Sequence, residues 1–407
     1  MEREYLQPDR LPADEGMAAT AGERAAEQKM PDDRIPEQAR GELPKTPKKR
    51  LISIELCRIV CMLLVIFNHT LNQFYGVAGA GGYFAKYVNF INICAVGTFL
   101  IITGFFMFGG EFSYTNRLKK LLFEELIPFA VILVCILLYR SYRASVYWNA
   151  GFFENLWADC KELVKEILAW GLVGEYGYLW FVLAYTEIIV LYPVWYLLCK
   201  TDKPNTVARR VVIALSLASV AADNIVHIFA LTFPVRIFSL INVNYLFVLL
   251  GYELKILYLS GKLQGKRCGL WGFIAYLAGV LLGMAFVSVE MFMHNSFSWY
   301  WYYLQTIPAI VSAVGLFVFF LNIKMKEKKL VYLIARAGMY IYLIQSPIHV
   351  ILIDQHLNLL LFPHLGVFSY IVVFLVCAAA SFLIGTAVEF IVEKLRYGQQ
   401  KKSTKKV

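Results

Sequence analysis

The sequence carries little charge. Asp, Glu, Lys and Arg make up 17% of its 407 residues, against roughly 25% in an ordinary soluble domain. It also lacks the cysteine pattern of a metal site or a disulfide framework. Its eight cysteines include no CxxC pair, and no Cys/His cluster has zinc-finger spacing. They read as small buried hydrophobes, and neither metal nor disulfide is expected. Residues 1–44 contain no apolar h-region, so they do not read as a signal peptide. The chain shows no dyad alternation of the kind that builds an outer-membrane barrel and no convincing internal repeat.

What is abundant is apolar. The residues AVILMFWYC amount to 59%, and the mean hydropathy is +0.58. A soluble fold of this length could not bury that excess. The totals exclude a soluble enzyme, a disordered protein and a nucleic-acid binder, and they indicate an all-α, polytopic membrane protein. The net charge of +10 then orients spans or meets anionic lipid, and implies no nucleic acid.

Residues 1–44 differ from the rest. Eleven acidic and six basic residues with five prolines give the composition of a disordered tail. The remainder carries +15, since the tail carries −5. After Lys45–Arg50 come apolar runs long enough to cross a bilayer at about 1.5 Å per residue. The expected spans are 51–71, 88–108, 121–140, 179–199, 209–229, 237–254, 270–290, 300–321, 331–353 and 366–391, ten helices in all. With the N-terminus in the cytoplasm, the segments on that side hold 25 Lys and Arg residues and the opposite segments hold six. This alternation fits the positive-inside rule with both termini cytoplasmic. The organisation expected is a disordered cytoplasmic tail over 1–44, a ten-helix membrane domain over 45–396 and a basic cytoplasmic tail over 397–407.

Aromatic clusters open two spans: Tyr176, Tyr178, Trp180 and Phe181, and then Trp299–Tyr303. Interfacial anchoring explains them, and a ligand platform is the alternative. Pro193, Pro308 and Pro347 fall inside expected spans and read as kinks. In the long connection 141–177, Leu156, Cys160, Leu163, Ile167 and Trp170 share one side of a helix. That helix is expected to lie on the outer membrane surface, or to act as a lid over an outward-facing site.

Ionisable residues within spans are expensive and mark functional candidates. The first span holds Glu55, Arg58 and His69. Eleven residues separate Arg58 from His69, three turns and about 20°. Both therefore sit on one helix face, about 16 Å apart, in a stripe with Met62 and Val65. Pairing of Arg58 with Glu55 is the plain structural alternative. Glu187, Asp223, Glu253 and Glu290 read as partners in ion pairs.

The segment Arg58-Ile-Val-Cys-Met-Leu-Leu-Val-Ile-Phe-Asn-His69 resembles the Arg-x10-His signature of the integral-membrane acyltransferase 3 family. Val96-Gly-Thr-Phe-Leu-Ile-Ile-Thr-Gly-Phe-Phe106 is similar to its second-span pattern ending in Ser-Gly-Phe, with Thr103 for Ser. Arg117-Leu-Lys-Lys120 resembles Arg-x-x-Arg, with Lys120 in the second place. Tyr178-Leu-Trp-Phe-Val182, Tyr245-Leu-Phe-Val-Leu-Leu-Gly-Tyr252 and Tyr340-Ile-Tyr-Leu-Ile-Gln-Ser-Pro347 resemble later segments, the last with Gln345 where the family has His. The likeness covers roughly residues 51–350.

The resemblance implies ten or so helices and transfer of an acyl group, often acetyl, from acyl-CoA. The acceptor would be a hydroxyl of a cell-surface glycan, peptidoglycan or lipid-linked sugar at the cell membrane. Within that scheme His69 is the base for the hydroxyl, and Arg58, deeper in the span, holds the pyrophosphate or pantetheine region of the donor. Arg117 and Lys120 receive donor phosphates at the cytoplasmic entrance, or act only as topology determinants. Lys120 lacks the bidentate fork of arginine, and Gln345 cannot take a proton. His349 follows Gln345 by one turn and has no role assigned. A multi-pass transporter or flippase for a small solute or glycan precursor is the competing reading.

Overall fold

A computed structural model describes residues 51–72, 74, 80–108, 110–149, 151–168, 180–229, 242–295, 297–354, 361 and 363–404. The tail 1–44, the Lys45–Arg50 run, Trp170, Tyr176, Tyr178 and Arg236 lie outside the described residues. No strand occurs among those described. In lipid, a backbone can satisfy itself only within a helix or a closed barrel, and this chain takes the first course. The helices are α1 (Ile52–Asn72), α2 (Ala80–Val88), α3 (Ala95–Met107), α4 (Tyr114–Lys120), α5 (Ile127–Trp148), α6 (Phe152–Leu168), α7 (Trp180–Val190), α8 (Tyr192–Leu198), α9 (Lys203–Ile228), α10 (Val243–Leu259), α11 (Lys266–His294), α12 (Ile307–Leu321), α13 (Lys329–Arg336), α14 (Gly338–Asp354) and α15 (Phe368–Thr404).

Seven helical stretches among the described residues are long and apolar enough to cross a membrane, and the bent pair α7–α8 makes up to eight. They correspond to eight of the ten expected spans. The other two expected spans fall on α10 and on α13–α14. As described, α10 and α14 each have 17 residues, and a break at Ala337 divides α13 from α14. The last helix runs on to Thr404, into the segment read from sequence as a tail.

The prolines act mostly as helix starters. Pro193 stands in the first turn of α8, just past a 62° bend at Leu191, and Pro308 stands in the first turn of α12. A missing N–H is harmless there, because first-turn N–H groups have no partner within the helix. Thr306 caps α12 by accepting from the Ala309 N–H. Pro347, by contrast, lies in the interior of α14.

α1 lies centrally, packed against α3, α12, α13, α14 and α15. α3 is apolar on all sides, which marks a helix surrounded by others, and it packs closely on α10. Two glycines allow that approach. A Cβ at Gly104 would lie 1.9 Å from the Val248 carbonyl oxygen, and one at Gly251 would lie 2.1 Å from that of Ile101. Close backbone approach through small residues is how membrane helices gain packing contact without a hydrophobic drive. Because the obstacle is backbone, Gly104→Ala is expected to destabilise by about 3 kcal/mol, the upper end for overpacking. A lowered unfolding temperature in detergent checks this, and an unchanged one refutes it.

α6 folds back along α5. Asp159 pairs with Arg140 at 3.4 Å, each residue lying a similar distance from the turn between the helices. Leu163 is buried with Phe129, Leu133 and Leu137, and Leu156, Cys160 and Ile167 pack beside them. The apolar side read from sequence is therefore the side that meets α5. Phe153, Trp157 and Val164, on the neighbouring arc, are exposed.

Candidate active site: two cavities that share a wall

The stripe on α1 lines two cavities. Arg58, Met62 and Val65 border a space of about 260 Å³, whose wall also takes in Thr103, Glu125, Tyr185 and Arg336. Val65, Asn68 and His69 border a larger space of about 530 Å³. Val65, Val96 and Tyr342 line both, so these three side chains form the partition. One helix face thus carries a cation in one chamber and an imidazole in the other, as 3.6-residue geometry requires of positions eleven apart.

Arg58 has a fixed partner. Its Nη1 lies 2.7 Å from Glu55 Oε2, and the Glu55 side chain is 4% exposed. The pairing considered as the plain alternative is thus present, and it leaves the guanidinium on the cavity wall. Arg336 lines the same chamber and is held from the far side by both oxygens of Glu393, at 2.7 and 3.2 Å. Sequence reasoning passed over Arg336. The signal was available, because apart from cations at span ends, Arg58 and Arg336 are the two Lys or Arg residues inside the expected spans.

Arg117 and Lys120 line neither cavity. Arg117 Nη2 donates to the Met107 carbonyl at 2.5 Å, and its guanidinium stands 4.2 Å from the centroid of the Tyr192 ring. Lys255 Nζ donates to the next carbonyl, Phe108, at 2.5 Å. Two cations therefore close the C-terminal end of α3, where carbonyls lack partners and the helix dipole is negative. Arg117 still lies within electrostatic reach of Tyr185 on the small cavity, as do Arg58, Glu124 and Glu125. Lys120 is exposed.

The larger cavity is lined by side-chain amides and aromatic rings. Asn68, Asn92, Asn242, Asn244 and Gln305 contribute the amides, and Trp180, Tyr302 and Tyr303 contribute rings. Trp180, Tyr302 and Tyr303 thus border the cavity, and Tyr303 is also 57% exposed on the outside of the fold, as an interfacial anchor is. Trp301, read from sequence as an anchor, is fully buried and donates to Glu290 at 2.5 Å. His227 reaches the same carboxylate at 3.2 Å. Glu253 pairs with the buried Arg209 at 2.6 Å. Glu290 and Glu253 are therefore structural partners, as their positions suggested.

Behind His69 stands a second imidazole. The ring centroids of His69 and His349 are 6.2 Å apart, with planes at 49°. His349 is buried, its Nε2 lies 3.2 Å from Cys377 Sγ, and it stands beside the main chain of Ile66 on α1. Gln345, one turn earlier on α14, is fully buried with neither amide atom hydrogen-bonded. Asn92, Asn242, Asn244 and Gln305 carried no sequence signal of a site, because they reach it from connections and helix starts far from α1 in the chain.

Helices apolar and long enough to cross a membrane thus enclose a partitioned interior, with His69 on one side and Arg58 and Arg336, each ion-paired to a glutamate, on the other. The family model described as an acyltransferase domain, that of the acyltransferase 3 family, matches residues 51–388, and the chain belongs to that family. Its activity is transfer of an acyl group other than an aminoacyl group. No curated protein and no solved structure matches the chain.

Proposed function

We propose that the protein is an O-acyltransferase that moves an acyl group, acetyl in the simplest case, from acyl-CoA to a hydroxyl of a cell-surface glycan or glycolipid. The observation that carries this reading is the partition of Val65, Val96 and Tyr342 between the Arg58 cavity and the His69 cavity. A donor with a long pantetheine arm suits such a layout. Its phosphates stay at the arginine end while its thioester reaches across to the imidazole. The distribution of cations supports ten spans with both termini cytoplasmic and the arginine end facing the cytoplasm.

In this mechanism Arg58 and Arg336 hold the donor's anionic part, with Arg117 and Lys120 guiding its phosphates at the entrance. His69 removes the proton of the acceptor hydroxyl as the new C–O bond forms. The C–S bond then breaks, and the proton passes to the departing CoA thiolate. His349 is a positioning residue: its ring stands 6.2 Å behind that of His69 and packs α14 against this part of α1. His349→Ala is expected to lower kcat about tenfold with KM for acyl-CoA unchanged, since misplacing a reacting group by a fraction of an ångström is already costly. A change confined to KM would refute this role.

The deciding experiment measures CoA release from acetyl-CoA by purified protein in lipid nanodiscs, with and without a glycan acceptor. Acceptor-dependent release supports transfer. Movement of solute or glycan without thioester consumption would favour a transporter instead.

A further inference from the structure

We propose that Asn224 of α9, which lines neither cavity, is a positioning residue for the acceptor: it holds in place the segment Tyr302–Gln305 in the wall of the larger cavity. This rests on the reading of that cavity as the acceptor side of an acyl transfer, and adds a residue outside it on which acceptor binding depends.

Four consecutive residues, Tyr302, Tyr303, Leu304 and Gln305, border the larger cavity together with His69. They belong to the connection between α11 and α12. After a single 3-10 turn over Tyr300–Tyr302, the backbone is extended at Tyr303 and again at Thr306. Extended backbone makes few hydrogen bonds within itself. In a membrane protein such a stretch persists only where other groups supply the missing partners.

Asn224 supplies them. It stands one turn before the end of α9 and is buried. Its Nδ2 donates to the Gln305 carbonyl at 3.1 Å and to the Tyr300 hydroxyl at 2.9 Å. Its Oδ1 accepts from the Ile307 N–H at 2.9 Å. Ile307 is the first residue of α12, where an N–H has no partner inside the helix. Both ends of one amide are thus engaged on one connection. The anchors at Tyr300 and Ile307 bracket the four wall residues, and the anchor at Gln305 holds the last of them directly.

His227 lies three residues on, along the same face of α9, and takes hold of the start of the connection. Its Nε2 is 2.9 Å from Ser298 Oγ, and its ring stacks on that of Tyr300 with centroids 3.8 Å apart. Tyr300 is therefore gripped twice from α9, at its ring by His227 and at its hydroxyl by Asn224. The Tyr302 ring stacks in turn on Phe90, with centroids 4.7 Å apart. Loss of the Asn224 amide would free the wall at both ends and at Gln305, whose side-chain amide can both donate to and accept from an acceptor hydroxyl. The chamber around Arg58 shares none of these four wall residues.

The test uses the full-length protein in lipid nanodiscs, with labelled acetyl-CoA as donor and the cell-envelope glycan fraction of the native host as acceptor. Initial rates of label transfer are titrated in each. Asn224→Ala is expected to raise the half-saturating amount of envelope fraction about tenfold and to leave KM for acetyl-CoA unchanged. A purely structural defect lowers the amount of active protein, which reduces the maximal rate and moves neither constant. Tyr300→Phe removes one of the Asn224 hydrogen bonds and keeps a ring against His227, so a rise of about threefold is expected. Should Asn224→Ala fail to fold, Tyr300→Phe decides alone, and an unchanged half-saturating amount in it overturns the proposal. Equal shifts for donor and acceptor in Asn224→Ala, or no shift for the acceptor, also overturn it. If transfer by the unaltered protein is still His69-dependent in those cases, the acyl-transfer reading stands and only the role of Asn224 falls. Absence of any transfer by the unaltered protein would remove that reading, and this inference with it.

Discussion

His69→Ala is expected to reduce acyl transfer by roughly 10²- to 10⁴-fold, the range that a positioned general base contributes, while membrane insertion stays intact. The imidazole borders an open cavity, so its removal enlarges existing space and leaves no sealed void in the packing. Alanine is the best helix former, so α1 should persist. His69→Gln sharpens the test. Glutamine retains hydrogen bonding but cannot take a proton, so it should be nearly as inactive as alanine. If glutamine restores most of the activity, His69 orients the acceptor and another group is the base. If alanine itself acylates at the normal rate, the assignment is wrong. The comparison with Arg58 needs a different design. Arg58→Ala would strand the Glu55 carboxylate, which is 4% exposed, and breaking a buried pair in this way costs about 3–5 kcal/mol. Lost activity in that variant would report on folding as much as on the donor. Arg58→Lys keeps the charge beside Glu55 and removes only the fork. It should raise KM for acyl-CoA with kcat largely retained.

Much of this arrangement was legible in the sequence, and the boundary of legibility has a physical cause. The stripe Arg58, Met62, Val65 and His69 follows from one helix and a fixed 100° step, so it could be drawn without knowing any neighbour. The glycines at 104 and 251 belong to segments noted only for their resemblance to a family. Their physical reason, reciprocal backbone contact between α3 and α10, needed the packing. Residues that join a site from separate elements were invisible. Asn242 is the N-cap of α10, and Gln305 sits in the approach to α12. Nothing in local patterning distinguishes them from other polar connections. Trp301 shows the converse error. An aromatic cluster at a span end looks interfacial, yet the indole N–H finds Glu290 and the ring is buried. In α6 the apolar periodicity was correct, but periodicity cannot say whether lipid or α5 receives the face.

Val96→Phe is expected to block the reaction without harming either binding event. Val96 lines both cavities on α3, opposite Val65 of α1 and Tyr342 of α14 in the partition. Phenylalanine there adds a ring where a thin pantetheine arm must pass. The thioester would then stop short of His69, and displacement of a reacting group by as little as an ångström already costs about 10²-fold. Transfer should therefore fall by roughly 10²-fold or more. CoA should still bind at the Arg58 side, and the glycan acceptor should still bind at the His69 side. Val96→Ala changes the partition in the opposite sense, and it should keep transfer or speed it for donors with longer acyl groups. Together the two substitutions separate obstruction from general damage, because a fold defect would depress both variants and both binding events. If Val96→Phe transfers at the normal rate with a normal fold, the donor does not cross this partition. The two cavities would then serve separate purposes, and the path from Arg58 to His69 would have to be sought elsewhere.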